Sequence, residues 1–237
     1  MEPSQTQRRL YNLRRAFPYT IPVMMGYLFA GIAFGVLLRS KGYSFWWAGL
    51  MSLLVYAGSL QFVAVNFFAP GVSLLHVAFL TLMVNLRHVF YGLSLLTKFQ
   101  GMGWRRLYMI FGLSDETYSI LCGVKAPEGT QPARFYFWIA VLDQLYWICG
   151  SVLGGIAGGL IPFDTTGIDF TLTALFTVIF TEQWLESKDH LPALVGIGAG
   201  VVCLLVFGAD NFLLPALIVS VCLLLILRRP AGKEEQA

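Results

Sequence analysis

The sequence predicts an all-α polytopic membrane protein with roughly eight hydrophobic segments, two of them re-entrant or broken, arranged in two related halves. Three observations carry this. Hydrophobic residues make up 57% of the 237 residues and charged residues only 12%, against roughly 25% charged in a soluble domain. The mean hydropathy is +0.70. The apolar residues also fall into uncharged runs near the ~20 residues that a helix needs to cross the hydrocarbon core. Disorder, collagen and coiled coil are excluded by the same composition, and the length suits one membrane domain.

The first segment runs from Phe17 to Leu38, with Pro18 and Pro22 in its first turns, where proline is tolerated best. It is too long for the ~7–15-residue apolar region of a signal peptide, so it reads as a spanning helix. The second, Ser44 to Phe68, ends at Pro70 and Gly71. The third is Val72 to Leu96. The fourth, Leu107 to Val124, is short and interrupted by Asp115 and Glu116, and a polar stretch from Lys125 to Arg134 follows. The fifth, Phe135 to Leu160, ends in Gly150, Gly154, Gly155, Gly158 and Gly159, a small-residue spacing that lets helices approach closely in lipid. The sixth is Phe170 to Trp184, the seventh Leu191 to Phe207 and the eighth Phe212 to Leu227. The Gly208–Asn211 turn makes the last two a tight hairpin. Residues 1–16 form a basic arm, 17–228 the helical membrane domain and 229–237 a tail.

An internal repeat is one reading. Gly31-Ile32-Ala33-Phe34-Gly35 and Gly155-Ile156-Ala157-Gly158-Gly159 close the first and fifth segments. Ser59-Leu60-Gln61-Phe62 and Thr181-Glu182-Gln183-Trp184 occupy the second and sixth at a nearly equal offset. The net charge of +3 is less informative than its placement. Arg8, Arg9, Arg14 and Arg15 precede the first segment, and Arg228, Arg229 and Lys233 follow the last, so the positive-inside tendency puts both termini in the cytoplasm. Eight full crossings would put Lys98, Arg105 and Arg106 outside. Broken second and sixth segments bring that loop inside and make the halves inverted repeats. Eight ordinary helices with an imperfect charge rule stay open as the alternative.

Ionisable groups within membrane segments are expensive and mark a pathway or a pair. Here they are Arg87 and His88 in the third segment, Asp115 and Glu116 in the fourth, Asp143 in the fifth and Glu182 in the sixth. Asn85 and His88, three apart, share a helical face. Arg87 or His88 suits a substrate carboxylate or a proton-carrying acid, and an Arg87–Asp115 structural ion pair is the competing role. Gly58, Ser59 and Gln61 offer backbone carbonyls, a hydroxyl and an amide in an apolar stretch. An unwound helix there suits the two charged ends of a zwitterion, and a kink packed on a neighbour is the plainer reading. Asp143-Gln144 beside Tyr146 reads equally as a coupling-ion site or as interhelical glue. His76 reads as interfacial packing.

Cys122, Cys149, Cys203 and Cys222 lie singly in apolar stretches and read as small buried hydrophobes. No zinc spacing links the histidines, so neither metal nor cofactor is expected. The six tryptophans read mostly as interfacial belt residues. No Gly-x-Gly-Asp, Gly-x-Ser-Gly, Walker A or HExxH motif is present, which argues against an intramembrane protease or a nucleotide hydrolase. A channel, an uptake carrier for another small metabolite, or a scaffold without transport stay as alternatives.

Four motifs then coincide in order: Val55-Tyr56-Ala57-Gly58-Ser59-Leu60-Gln61-Phe62, Val84-Asn85-Leu86-Arg87-His88-Val89-Phe90-Tyr91-Gly92, Leu113-Ser114-Asp115-Glu116-Thr117, and Gly167-Ile168-Asp169-Phe170-Thr171-Leu172-Thr173-Ala174-Leu175-Phe176. Together they span the chain from about Gly26 onward and resemble the AzlC family. The resemblance implies the large subunit of a bacterial inner-membrane exporter of branched-chain amino acids (valine, leucine and isoleucine, with methionine as a further candidate). It implies a small AzlD/YgaH-type membrane subunit as partner, and the lack of a nucleotide-binding motif makes an electrochemical gradient the expected driving force. The Gly150–Gly159 face is an expected contact for that subunit. It assigns no binding residues. On physical grounds the substrate candidates are Gly58, Ser59, Gln61, Asn85, Arg87 and His88, and the ion-coupling or charge-pair candidates are Asp115, Glu116 and Asp143.

Overall fold

The computed structural model describes residues 5–68, 71–160, 169–187, 189–208 and 212–227. Among them every regular element is helical: α1 (Gln5–Ser40), α2 (Phe45–Leu54), α3 (Gly58–Ala64, continued by a 3-10 turn Val65–Phe68), α4 (Leu74–Ser94), α5 (Arg105–Phe111), α6 (Asp115–Gly123), α7 (Pro132–Leu160), α8 (Asp169–Glu186), α9 (Leu191–Phe207) and α10 (Leu213–Leu227). This is an all-α membrane protein. α1, α4 and α7 are long and apolar enough to cross a bilayer, while α2, α9 and α10 are shorter apolar helices. The chain divides into two compact units, Met1–Leu175 and Phe176–Ala237.

The first unit is built on α1 and α7, which pack along much of their lengths. Their contact is made of backbone. A Cβ on Gly31 would lie 3.0 Å from Trp147 O, and one on Gly150 would lie 2.8 Å from Leu28 O. One on Gly154 would lie 2.7 Å from both C and Cα of Ile32, and Gly35 is equally tight against Ser151 and Gly155. α2 closes on the same strip, since a Cβ on Gly155 would lie 2.8 Å from Phe45 Cα. The glycine spacing thus does what it does between helices in lipid, where packing and not water expulsion drives association. It does so within this chain, so α1 and α2 take up the face expected to meet a partner.

Two buried clusters flank α7. One joins Phe99, Met102, Met109, Leu113, Leu121, Phe135 and Ile139; the other joins Tyr27, Phe34, Leu38, Phe62, Val65 and Trp147. The outward surface is equally apolar. Leu74, Leu75, Phe90, Leu107 and Leu160 are exposed, the arrangement that a lipid solvent favours. The cysteines follow that logic: Cys203 is buried, but Cys122, Cys149 and Cys222 face outward, so the expectation of burial fails for three of four. Trp147 is in turn no belt residue but a core one.

α1 begins about three turns before the apolar run. Pro18 and Pro22 therefore lie inside the helix instead of in its first turns. Thr20 Oγ1, between them, donates to Phe17 O at 2.9 Å, in line with the way Ser and Thr hydroxyls support proline-disturbed membrane helices. The basic segment is docked: Asn12 is buried, donates Nδ2 to Arg8 O at 2.6 Å and accepts Gln131 N at 2.9 Å.

The second segment is broken at Val55-Tyr56-Ala57, as expected, with Tyr56 at φ 41. The fourth is broken too, at Gly112-Leu113-Ser114, where the carboxylates suggested an interruption. The sixth is not. α8 runs unbroken through Thr181–Trp184. No Gly or Pro interrupts it, and Thr181 Oγ1 bonds back to Thr177 O at 2.7 Å without leaving the helix. A matched pair of broken helices in the second and sixth segments therefore fails. In the second unit α9 and α10 pack together. Pro70, the Ala209–Asn211 part of their turn, Gly167, Ile168 and the tail with Arg228, Arg229 and Lys233 lie outside the described residues, as do the side chains of Glu182 and Gln183.

Candidate functional site

The two breaks face the same polar interior. Locally, each break has a sequence cause. Gly112 ends α5, and Ser114 caps α6 by accepting Thr117 N at 3.1 Å. Asp115 and Glu116 then occupy the first turn, where the positive end of the helix dipole favours acids. At the other break, Leu53 O in the last turn of α2 accepts Gln144 Nε2 at 3.1 Å, so a side chain from α7 supplies a donor beside the interruption.

The first turn of α6 then addresses three helices with three consecutive residues, which a rotation of ~100° per residue makes possible. Asp115 points to α4: its Oδ2 is 3.0 Å from Arg87 Nη1 and its Oδ1 accepts Tyr91 OH at 2.8 Å. Tyr91 is itself stacked on Tyr118, with ring centroids 4.3 Å apart. Glu116 points to α1, accepting Tyr27 OH at 2.6 Å. Thr117 points to α7, donating Oγ1 to Asp143 Oδ2 at 2.8 Å.

Arg87 joins the two breaks. Its Nη2 donates to Ser59 Oγ at 2.9 Å, at the start of α3, while Nη1 pairs with Asp115 at the start of α6. The geometry therefore contains the expected Arg87–Asp115 pair and adds Ser59 to it. Arg87 Nε and Asn85 Oδ1, also on α4, are buried without a hydrogen-bond partner. His88 Nδ1 is 3.3 Å from Asn85 O, so its ring turns back on its own helix.

Gly58 and Gln61 belong to a different neighbourhood. The Trp147 ring would lie 3.2 Å from a Cβ on Gly58. Gln61 is fully buried, accepts Trp147 Nε1 at 2.8 Å and donates to Ser52 Oγ at 3.1 Å; Ser52 in turn donates to Ser151 at 2.8 Å. This second network fastens α2, α3 and α7 together.

Asp143 is fully buried, and among the described residues no cation pairs with it. Its Oδ1 has no hydrogen-bond partner, and the buried Tyr56 OH stands close to it and to Thr117 from the strained break. Gln144 accepts Tyr108 OH at 2.6 Å, and Tyr146 OH is 3.1 Å from Thr20 Oγ1. Within the Asp143-Gln144 dipeptide, Gln144 links helices, and Asp143 carries an unsatisfied oxygen. Among the described residues no three His, Cys, Asp or Glu side chains converge as metal ligands.

Tyr27 and Tyr56 are site residues that sequence reasoning passed over. Tyr27 was legible in one respect: with Gly31 and Gly35 it forms an every-fourth-residue stripe, and a hydroxyl on a stripe of close helix contact needs an internal partner. Tyr56 carries no such signal, because its place depends on where the helix breaks.

Residues 22–161 match the family model described as AzlC protein. The chain is 45% identical over 222 residues to the branched-chain amino acid transport protein AzlC of Bacillus subtilis (strain 168), covering 94% of this chain and 87% of that protein. It is 42% identical over 220 residues to an uncharacterized membrane protein of Helicobacter pylori (strain ATCC 700392 / 26695), covering 93% and 96%. It is 29% identical over 191 residues to the inner membrane protein YgaZ of Escherichia coli (strain K12), covering 77% and 78%. No solved structure matches. The matched stretch holds both breaks, the Arg87 bridge, the glycine seam and Asp143, and the chain belongs to the AzlC family.

Proposed function

We propose that this chain is the large subunit of an inner-membrane exporter that moves branched-chain amino acids out of the cell. It works with a small AzlD/YgaH-type membrane subunit and is driven by an electrochemical gradient, with both termini cytoplasmic. The observation that carries the reading is Arg87, which spans the start of α3 and the start of α6 through Ser59 and Asp115. A half-buried arginine between two broken helices is built to take a carboxylate. When the substrate carboxylate displaces that of Asp115, Arg87 keeps a charge-assisted partner and Asp115 is released. Asn85 Oδ1, unpaired beside it, is an acceptor suited to the substrate ammonium. The apolar surroundings take the branched side chain, and discrimination by one methylene is worth only ~1–3 kcal/mol, so valine, leucine, isoleucine and methionine are all expected to be carried.

Gly58 and Gln61 support the break in this scheme, and Ser59 is the residue of that motif that meets Arg87. The direct 3.0 Å contact favours one competing reading, in which Arg87–Asp115 only ties α4 to α6. Export of labelled valine from loaded cells, with the small membrane subunit co-expressed, tests both. Arg87→Asp with Asp115→Arg restores export if the pair is structural. It gives a membrane-inserted, inactive protein if Arg87 meets the substrate.

A further inference from the structure

A continuous run of hydrogen bonds joins two carboxyl groups through three hydroxyls. Asp143 Oδ2 is 2.8 Å from Thr117 Oγ1, which is 2.9 Å from Ser114 Oγ. Ser114 Oγ is 2.5 Å from Tyr27 OH, which is 2.6 Å from Glu116 Oε2. The two ends differ. Asp143 is fully buried, whereas Glu116 reaches the surface of the chain taken alone, with its carboxyl desolvated beside Tyr27.

Hydrogen atoms can be counted along this run. It has four oxygen-to-oxygen contacts, and its three hydroxyls supply three hydrogens. With both carboxyls ionised, one contact would place two lone pairs face to face at hydrogen-bonding distance. With both protonated there would be one hydrogen too many. The run closes when the carboxyl pair holds a single proton. The Ser114 hydroxyl accepts Thr117 N in either case, and its remaining lone pair and hydrogen serve the run in either direction.

We infer that Glu116, Tyr27, Ser114, Thr117 and Asp143 form a proton relay that carries one shared proton between the Glu116 carboxyl near the chain surface and the fully buried Asp143 carboxyl. With the proton on Glu116, each group donates towards Asp143. When Glu116 gives its proton to the Tyr27 oxygen, Tyr27 passes its own to Ser114, Ser114 to Thr117 and Thr117 to Asp143. Four O–H bonds break and four form, one proton is moved in effect, and every hydroxyl ends neutral. The reverse shift empties Asp143. The groups facing the ends are Tyr56, Tyr108 and Tyr146 around Asp143, and Asp115, Arg87 and Tyr56 around Glu116. The tyrosines are neutral, and the charges of Arg87 and Asp115 offset each other as an ion pair.

As a coupling device, the relay rests on the exporter reading and names its ion as the proton. The proton count itself does not depend on that reading. Infrared spectroscopy of the full chain in detergent near neutral pH reads the count from the carboxylic-acid carbonyl band and its deuterium shift. One buried acid is expected in the unaltered protein. Asp143→Asn and Glu116→Gln should each abolish it, because an amide N–H fills the fourth contact and leaves the other carboxyl ionised. Absence of the band in the unaltered protein overturns the relay. So does survival of the band in one of the two variants, since the proton would then belong to one carboxyl alone.

The coupling role is read in proteoliposomes holding the chain and its small partner. Thr117→Val should lose valine accumulation driven by a pH gradient and keep valine counterflow, and Thr117→Ser should retain both. Accumulation by Thr117→Val equal to that of the unaltered protein overturns the relay as a coupling path. Absence of all valine transport in the unaltered protein would refute the exporter reading and leave the infrared count as the test of the relay.

Discussion

Gly154→Ala is the substitution that probes the α1–α7 seam most directly. The new methyl would lie 2.7 Å from both C and Cα of Ile32 and closer still to its carbonyl oxygen. Ordinary carbon contacts are ~3.5–4.0 Å, so the two backbones must separate by roughly 1 Å at that point. No rotamer relieves the clash, because the obstructing atoms are main chain. Overpacking costs about 1–3 kcal/mol, and a backbone-on-backbone clash belongs at the upper end. Alanine gains ~1 kcal/mol over glycine in a helix. The expected net loss is about 2 kcal/mol, or ~4–8 °C in melting temperature at ~2–4 °C per kcal/mol for a chain of this size. Gly26→Ala, on the exposed side of α1 with open space where its Cβ would sit, is the control. It should melt at or above the unaltered protein by up to ~1 kcal/mol. Tryptophan fluorescence melts of the purified proteins in one detergent measure both. A Gly154→Ala protein as stable as Gly26→Ala would refute the backbone seam.

Three further outcomes are expected. Asp115→Asn should reach the membrane at a near-normal level and lose most valine export, and unchanged export at matched expression would remove Asp115 from transport. Trp147→Phe should lower stability by ~1–3 kcal/mol, the cost of leaving the buried Gln61 Oε1 without its donor, read as a shift in thermal melting with the melts compared at one detergent concentration. A cysteine placed at Gly101, with the native cysteines removed, should resist an impermeant thiol reagent added outside intact cells. Labelling there would put the Lys98–Arg106 loop on the periplasmic side.

The sequence made the spans legible because lipid imposes length and composition on them. The starts of α7, α8, α9 and α10 fall within a few residues of the apolar runs, and α9 coincides with its run. The breaks in the second and fourth segments were legible from polar and acidic residues set in apolar stretches. The start of α1 was not, since helix propensity in the basic segment says nothing until Asn12 is seen docking on Gln131. The sixth segment misled because Thr, Glu and Gln are polar without being helix breakers. At the site, Arg87, Asp115, Glu116, Ser59 and Asp143 stood out as charges or hydroxyls at depth. Their assignment to partners did not, because it depends on which way three consecutive residues of α6 radiate. The same limit placed Gln61 among the substrate candidates, whereas its amide bonds Trp147.

The glycine seam also bears on how this molecule can move. Side chains that interlock can hop between rotamers and let two helices slide in small steps. Main chain lying against main chain has no such intermediate settings, so α1 and α7 behave as one beam. α4, by contrast, is held to the rest of its unit through few buried residues, Leu80 and Gly92 among them, and through the Arg87 bridge. α6 is pinned at its far end, where Lys98 Nζ donates to Leu121 O and Val124 O. Within this unit the beam is the frame of reference, α2 and α3 are fastened to it through Phe45 and Gln61, and α4 has the fewest buried ties to it. A cycle that exposes Arg87 to alternate sides would then be a tilt of α4, which carries it, against the breaks at residues 55–57 and 112–114.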